Sequence, residues 1–306
     1  FYKLQQTKLK KRNAEIELLI TQLEDKNREI TEKNLKAMQT REILDNASKK
    51  FDFSSIEVDN QSHLIRLKDN LGIATAQNRG IERAIELGAD YIIFFDQDST
   101  IPDNFVQDMI DDYQFISKQN IKIGALGPRF IDERYNFYYK TISISKHGLR
   151  TKHDVSNINE PFNSTLLISS GSLVSVETLK EVGLMRDNYF IDYVDTEWCL
   201  RAESLGFKNY ISAKAVMRHT IGDNVLKFKF INVPVHSAFR RYFRVRNAFY
   251  MLREPHVPFL LFVREMIFNF IHQGILVCFE KNRLAYVKSY FKGVRDGMFT
   301  KEKEID

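Results

Sequence analysis

An unbroken apolar run, YIIFF at residues 91–95, constrains the fold of this chain more than any other stretch. A short run without polar alternation is typical of a strand covered by helices in a parallel sheet. Upstream, residues 70–90 start at a glycine turn, continue with apolar residues at helical spacing and end at Gly88, a suitable helix C-cap. The alternating residues 63–67 (HLIRL) resemble a strand. Strand, helix and strand at this spacing form a crossover unit, which predicts an α/β fold.

Periodicity predicts further elements of both kinds downstream. They are strands at 123–130 and 162–176 and helices at 177–182, about 195–205 and past Pro234. Gly171 interrupts the second of these strands, and Gly206 ends the middle helix. The mixture of elements extends the α/β prediction over most of the chain.

Two aspartates one residue apart, Asp96 and Asp98, follow the apolar run. Two ionised carboxylates about 4 Å apart repel each other by roughly 4 kcal/mol at a protein surface, so a cation, a shared proton or a wide separation must offset the repulsion. Open parallel sheets bind their ligands in the crevice at the carboxyl ends of the strands. The location of the pair therefore indicates a ligand site.

Composition excludes several classes of protein. Of the 306 residues, 43% are hydrophobic and 28% are charged, which is typical of a globular chain. The formal charge of +5 favours an anionic substrate or membrane surface over nucleic acid, for which no motif is present. Cys199 and Cys278 lie far apart and indicate neither a disulfide framework nor a zinc site, so a reducing cytoplasm is the default compartment.

The two ends of the chain differ from its middle. Residues 1–42 are rich in Lys, Glu, Gln and Asn, with apolar residues at helical spacing, and predict a helical arm. Such an arm is compatible with a solvated helix and with a weak coiled coil that would join copies of the chain. We expect an α/β domain at 43–252 and a helical segment at 253–306.

Residues 257–279 form an apolar stretch long enough to span a bilayer, but Arg264 and Glu265 interrupt it. A charge near the bilayer centre costs about 3 kcal/mol on insertion scales. An amphipathic helix in the membrane interface and a helical subdomain packed on the core both fit the pattern.

Seven segments occur in an order that identifies a family. The chain resembles family 2 glycosyltransferases of the GT-A fold, and specifically bacterial rhamnosyltransferases, over residues 42–252. The fold so implied has a central, mostly parallel sheet. The segments are ILDNAS, NLGIATAQNRGI, FFDQDS, SSGSLVS, GLMRDNYFIDYVDTEWCLRAESLG, MRHTIGD and RRYFRVRN. The family's first strand has no clear counterpart here, and residues 16–22 are the candidate for it.

The resemblance implies a metal site at the aspartate pair. Asp96 and Asp98 match the family's DXD motif, whose acids hold Mg²⁺ or Mn²⁺ against the nucleotide diphosphate; hard cations prefer such oxygen ligands. His219 matches a position that often supplies a third metal or diphosphate ligand. The alternatives are that the aspartates cap the following turn and that the histidine is structural.

The resemblance also implies a catalytic base. Asp195 matches the residue that takes the proton from the acceptor hydroxyl, and Asp192 is the alternative base. A partly buried carboxylate whose pKa is raised suits this role. Asp195 could instead cap a helix. Glu197 and Arg201, four residues apart, predict an ordinary helical ion pair.

Donor-binding residues follow from the same resemblance. Asp45 matches the acid that recognises the nucleobase or its ribose, although Asp-Asn is also common in turns. Asn70, Gly72 and Asn78 match the loop and helix beside it, where glycine lets the backbone approach a ligand.

The resemblance implies a further contact with the donor at the basic aromatic run RRYFRVRN. Tyr242 and Arg246 share a helical face and are expected, with Arg241 and Asn247 nearby, to contact the diphosphate. A solvated or membrane-facing basic helix is the alternative.

The expected enzyme is an inverting, metal-dependent transferase that moves L-rhamnose from dTDP-rhamnose to a cell-surface polysaccharide or lipid-linked glycan. We expect it in the cytoplasm, peripheral on the inner face of a bacterial plasma membrane. Two alternatives remain. DQDST also fits the nucleophile motif of haloacid-dehalogenase-like phosphatases, with Asp96 and Asp98 as its acids. The chain could also be a non-catalytic scaffold with a degenerate transferase core.

Overall fold

The computed structural model describes residues 63–96, 99–132, 137–219, 224–227, 232–280 and 282–300. The helical arm expected at 1–42 lies outside these residues. The described helices are α1 Ile73–Glu86, α2 Phe105–Ser117, α3 Val176–Val182, α4 Val194–Ser204, α5 Ala238–Arg253, α6 Phe259–Phe279 and α7 Arg283–Phe299, with a 3₁₀ helix at Asp187–Tyr189. The strands are β1 Tyr91–Ile93, β2 Ile123–Asp132, β3 Thr141–Ile144, β4 Arg150–His153, β5 Phe162–Asn163, β6 Leu173–Ser175, β7 Lys208–His219, β8 Asn224–Lys227 and β9 Asn232–Val235.

Five of the strands form one mixed sheet in the order β1-β6-β2-β7-β5. Strands β1, β2 and β7 run in one direction, and β5 and β6 run in the other. The short strand β6 joins β1 to β2, because Leu173 is paired with both Ile93 and Leu126. Strands β3 and β4 form a separate hairpin. The three strands of common direction therefore end at one edge of the sheet.

Helices cover both faces of this sheet. Side chains alternate along each strand, so Ile92 and Val174 join the core cluster that contains Trp198 of α4, together with residues of α1 and α3. Their neighbours Ile93 and Leu173 join the opposite cluster, which is built on α2. The result is a three-layer arrangement, and the α/β class is confirmed.

Two strand predictions need correction. Residues 63–67 contain no strand, because alternation in so short a segment is weak evidence without a pairing partner. The strand expected at 162–176 is two strands, β5 and β6. Between them Gly171 has a φ of 76°, and a Cβ there would lie 2.7 Å from Pro128. The backbone must turn tightly at this point, so one continuous strand cannot form.

The C-terminal helices pack on the domain rather than standing apart from it. Val257 and Leu261 belong to the main core cluster. Helices α5 and α7 approach closely at two glycines, since a Cβ on Gly293 would lie 2.7 Å from the Tyr242 carbonyl oxygen and one on Gly297 2.8 Å from the Phe249 ring. Helix α6 has the length and composition of a membrane span, with 28% of its most apolar window buried.

Candidate active site

A cavity of about 580 Å³ opens at the edge of the sheet where β1 ends. Its walls come from the end of β1, the segment before β6, the start of α4, the β3–β4 hairpin and helices α5 and α6. The charged side chains that line it are Asp96, Asp192, Asp195, Glu265, Arg129, Lys140, Arg150, Arg240 and Arg244. Acids and bases thus meet in one space of a size that suits a small-molecule ligand.

The loop after β1 is fixed by serines of the SSGS segment. The Asp96 N–H donates to the Ser170 Oγ at 3.2 Å, and the hydroxyls of Ser99 and Ser170 lie 2.9 Å apart. Ser170 is buried, so these contacts hold Asp96 at the cavity wall. The loop then reaches the end of β7, where the Arg218 N–H donates to the Thr100 carbonyl oxygen at 3.3 Å.

Asp195 is the second residue of α4 and lines the same cavity as Asp96. Its carboxylate accepts the Thr196 N–H at 2.8 Å, and the helix cap is Tyr193 rather than Asp195. Burial, with a further contribution from the charge of Asp192, raises the pKa of Asp195 to about 6. Such a carboxylate is mostly ionised at pH 7 yet has a higher proton affinity than an exposed aspartate, as a general base requires.

The backbone just before α4 is strained. Phe190, Asp192 and Tyr193 have φ values of 63°, 65° and 63°, a conformation that costs a non-glycine residue roughly 1–2 kcal/mol. The buried Asn247 offsets this cost, because its Nδ2 lies 2.7, 2.8 and 2.9 Å from the carbonyl oxygens of Tyr189, Ile191 and Asp192. Helix α5 therefore fixes the loop that leads into the Asp195 helix.

The same helix presents two arginines to the cavity. Arg240 donates to both carboxylate oxygens of Asp192 at 3.1 and 3.2 Å, and Arg244 lies 3.5 Å from it. Arg244 also lies 3.9 Å from Glu265, which accepts the Tyr193 hydroxyl at 2.7 Å. Asp192 is thus engaged as an ionic partner, whereas Asp195 has no cationic partner within the described residues.

Comparisons with known proteins now decide the family. The model of glycosyl transferase family 2 matches residues 38–183. A relative named dTDP-rhamnosyl transferase RfbF, from Shigella flexneri, is 46% identical over 236 residues, which are 77% of this chain and 78% of the relative. The chain belongs to glycosyl transferase family 2. Within that family it is rhamnosyltransferase-like, as the ordered segments predicted, and the phosphatase and scaffold alternatives are set aside.

Two solved structures were also compared with this family 2 chain. GalNAc-T7, with UDP, GalNAc and Mn²⁺, aligns with 78% of the chain at 12% identity and a TM-score of 0.42. S. aureus TarS 1–349 aligns with 77% of it at 12% identity and a TM-score of 0.44. The chain spans 44% and 65% of the lengths of those two structures.

In this family 2 chain, Asn78, which was expected beside the donor, forms hydrogen bonds to other residues of the protein. The Asn78 Nδ2 donates to the Met185 carbonyl oxygen at 2.7 Å and to Asp187 at 2.8 Å, and its Oδ1 accepts the Met185 N–H at 2.9 Å. These contacts occupy the amide, so Asn78 joins α1 to the 3₁₀ helix instead of facing the cavity.

The loop before α1 is similar. The Asn70 Oδ1 accepts the Gly72 N–H at 3.0 Å. Gly72 has a φ of 89°, and a Cβ there would lie 2.6 Å from the Phe190 ring. Glycine is needed at this position for close approach of α1 to the loop before α4. Neither Asn70 nor Gly72 lines the cavity, whereas Ile73 and Gln77 of α1 do.

Tyr242 and Arg246, predicted to contact the donor, lie on a face of α5 that packs within the protein. Tyr242 and Arg246 do share a face, with the guanidinium 5.6 Å from the ring centre. However, the Tyr242 hydroxyl donates to Asp296 of α7 at 2.9 Å, and Arg246 donates to the Tyr189 carbonyl oxygen at 3.2 Å. Neither lines the cavity. Helix α5 presents Arg240 and Arg244 there instead, and their spacing of four residues was visible in the sequence.

Three predicted ligands fall partly or wholly outside the described residues. Asp45 and Asp98 are not among them. The backbone of His219 is described and pairs with Asp132 at the end of β7, but its side chain is not. The metal assignment therefore rests on Asp96 and on the contact between residues 100 and 218.

A second acidic cluster lies behind α4 and is already neutralised. Glu197, Glu254 and His256 have ligand atoms within 4.8 Å of one another. Arg201 donates to both Glu197 oxygens at 2.8 and 3.0 Å, which confirms the predicted helical pair, and Arg186 contacts both acids. Burial alone would raise the pKa of Glu197, but hydrogen bonds from His256 and Arg201 hold it at about 2. This cluster stabilises the α4–α5 region rather than forming a metal site.

Proposed function

We propose that this family 2 glycosyltransferase transfers L-rhamnose from dTDP-rhamnose to a hydroxyl of a cell-surface polysaccharide or its lipid-linked precursor, with inversion at the anomeric carbon. The name of the 46% identical relative supports the donor. The observation that carries the proposal is that the half-buried carboxylate Asp195 lines the same cavity as Asp96.

Asp195 is the proposed general base. Its Oδ accepts the proton of the acceptor hydroxyl while that oxygen forms a bond to the anomeric carbon and the bond to the diphosphate breaks. The attacking oxygen approaches opposite the leaving group, so the configuration inverts. A pKa of about 6 leaves Asp195 mostly ionised at pH 7, because burial disfavours the charge without abolishing it.

Asp96 and Asp98, with His219, are the proposed ligands of a divalent cation. The fit rests on the Asp96 carboxylate at the cavity wall and on the hydrogen bond that holds residue 100 beside residue 218. Carboxylate oxygens suit Mg²⁺ and Mn²⁺. When bound, such an ion supplies Lewis-acid neutralisation of charge on the leaving diphosphate.

The C-terminal helices are the proposed membrane contact, on the cytoplasmic face of a bacterial plasma membrane. Helices α6 and α7 expose large apolar side chains, among them Phe259, Ile267, Phe268, Phe270, Ile271, Phe279, Leu284, Phe291 and Phe299. Exposed apolar side chains in such number are typical of a membrane or protein contact. Helix α7 adds exposed basic side chains at Arg283, Lys288, Lys292 and Arg295, which suit an anionic lipid surface.

The Asp195→Asn variant tests the proposed function. Transfer from dTDP-rhamnose to a bacterial lipid-linked glycan extract, followed by mass spectrometry, should fall by about 10²–10⁴-fold, the usual contribution of a general base. Donor affinity measured by calorimetry should stay within about twofold of wild type. Transfer at the wild-type rate, or loss of donor binding instead, would refute the assigned role of Asp195.

A further inference from the structure

Arg150 is a cation that the proposed chemistry does not use. It is the first residue of β4, it is half-buried, and its side chain lines the cavity that contains Asp195. Among the described residues its buried Nε meets no acceptor, and no carboxylate forms an ion pair with it. An unpaired guanidinium at this depth is unfavourable unless a ligand completes its contacts.

The charges around Arg150 do not neutralise it. Its electrostatic neighbours are Arg264, Glu265, Arg244 and Tyr193. Glu265 is already engaged by Tyr193, by Arg264 and, at 3.9 Å, by Arg244. Burial first and the charge of Arg264 second lower the pKa of Arg150. This part of the cavity therefore contains more positive than negative charge.

Arg150 and Asp96 have different neighbours within the cavity. Asp96 is fixed to Ser170 beside β1, whereas the neighbours of Arg150 come from Tyr193 and from helices α5 and α6. The β3–β4 hairpin that carries Arg150 rests on the start of α6, where a Cβ on Gly148 would lie 2.6 Å from the Leu261 nitrogen. Asp195 lines the cavity together with both groups.

We propose that Arg150, with Arg244 beside it, forms an anion-binding subsite for the acceptor, and that the acceptor carries a phosphate or carboxylate group. The planar guanidinium donates two parallel hydrogen bonds to either group, which a lysine cannot do. This inference rests on the proposed transfer reaction, because it takes the part of the Asp195 cavity around Arg150 as the acceptor site.

Binding of two simple anions tests the subsite directly. Inorganic pyrophosphate and glucuronate are titrated into the full chain by calorimetry in EDTA, so that no metal holds an anion at Asp96. Arg150→Gln should weaken binding of at least one probe by tenfold or more. The control Arg79→Gln, on the exposed face of α1, should leave it unchanged. Pyrophosphate dependence would identify a phosphate-bearing acceptor, and glucuronate dependence an acidic sugar.

Three results would overturn the proposal. They are wild-type protein that binds neither probe, Arg150→Gln protein that binds both as wild type does, and an Arg150→Gln variant with weakened dTDP-rhamnose binding in Mn²⁺. Because the Arg150 side chain has no hydrogen-bond or ion-pair partner within the described part of the chain, the thermal midpoint of the variant should not fall. If wild-type protein binds an anion through Arg150 but transfers no rhamnose, the proposed function fails while the subsite stands.

Discussion

The Nδ2 of Asn247 lies 2.9 Å from the carbonyl oxygen of Asp192, three positions before the proposed base Asp195. It reaches two more carbonyl oxygens of the same loop, in which Phe190, Asp192 and Tyr193 have positive φ values. Removal of the amide would take a donor from three carbonyl oxygens of a strained loop, of which that of Tyr189 keeps the Ile191 N–H and Arg246.

We therefore expect Asn247→Ala to lower the free energy of unfolding by about 2 kcal/mol, the usual effect of unsatisfied buried groups. The turnover number should fall more than the donor affinity does, because the loop leads into the helix that carries Asp195. Urea unfolding and transfer kinetics measure the two effects. Asn104→Ala, at an exposed asparagine before α2, serves as the control. Equal changes in turnover for both variants would contradict a positioning role.

The pH profile of transfer should report Asp195. Burial raises its pKa, so the carboxylate is protonated and inactive as a base below about pH 6 and ionised above it. Turnover should rise tenfold per pH unit up to about pH 6 and then level off. His236, which also lines the cavity, has a pKa lowered to about 4 by burial and by Arg240, so it is neutral over this range. A profile without a limb near pH 6 would contradict the role assigned to Asp195.

Metal dependence should require the second acid of the pair. Asp98→Ala should abolish the part of dTDP-rhamnose affinity that depends on Mn²⁺, so that its dissociation constant matches that of wild type in EDTA. Asp103→Ala, an exposed acid farther along the same loop, is the matched control. Calorimetry with and without Mn²⁺ gives both constants, and unchanged affinity in Asp98→Ala would count against the metal assignment.

Membrane binding should depend on the exposed phenylalanines of α6 and α7. Phe270 and Phe291 are 69% and 66% exposed, and burial of such a side chain contributes roughly 1.5–3 kcal/mol. Phe270→Glu and Phe291→Glu should each reduce co-flotation with phosphatidylglycerol vesicles by tenfold or more. Leu205→Glu alters an exposed apolar side chain at the end of α4 and should have no effect. Equal flotation of all variants would exclude this face as the contact.

The sequence was sufficient where a local rule decides the structure. Gly88 and Gly206 have φ values of 80° and 87°, just past the ends of α1 and α4, where the C-cap rule predicted them. The apolar run of β1 and the helix that carries Asp195 are also local patterns. These segments alone locate one acid of the DXD pair and the proposed base.

The sequence was insufficient where packing between distant segments decides. The rotational orientation of α5 depends on its packing against α7. Gly293 and Gly297 allow α7 to approach the face of α5 that carries Tyr242 and Arg246. No local pattern indicates this, so the sequence did not single out Arg240 and Arg244 as the arginines that line the cavity. The left-handed Asp192 and Tyr193 are likewise held by Asn247, which is remote in sequence, and propensity alone would not place them there.

Helix α5 makes functional contacts on three sides. Arg240 and Arg244 line the cavity, and Asn247 supports the loop before α4. Arg241 donates to the Asn269 carbonyl oxygen of α6. Successive helical positions are separated by about 100° of rotation. Insertion or deletion of one residue within α5 would therefore turn all downstream functions away from their targets together. Single substitutions in α5 would each affect one of these contacts, whereas a one-residue insertion or deletion would disrupt all of them.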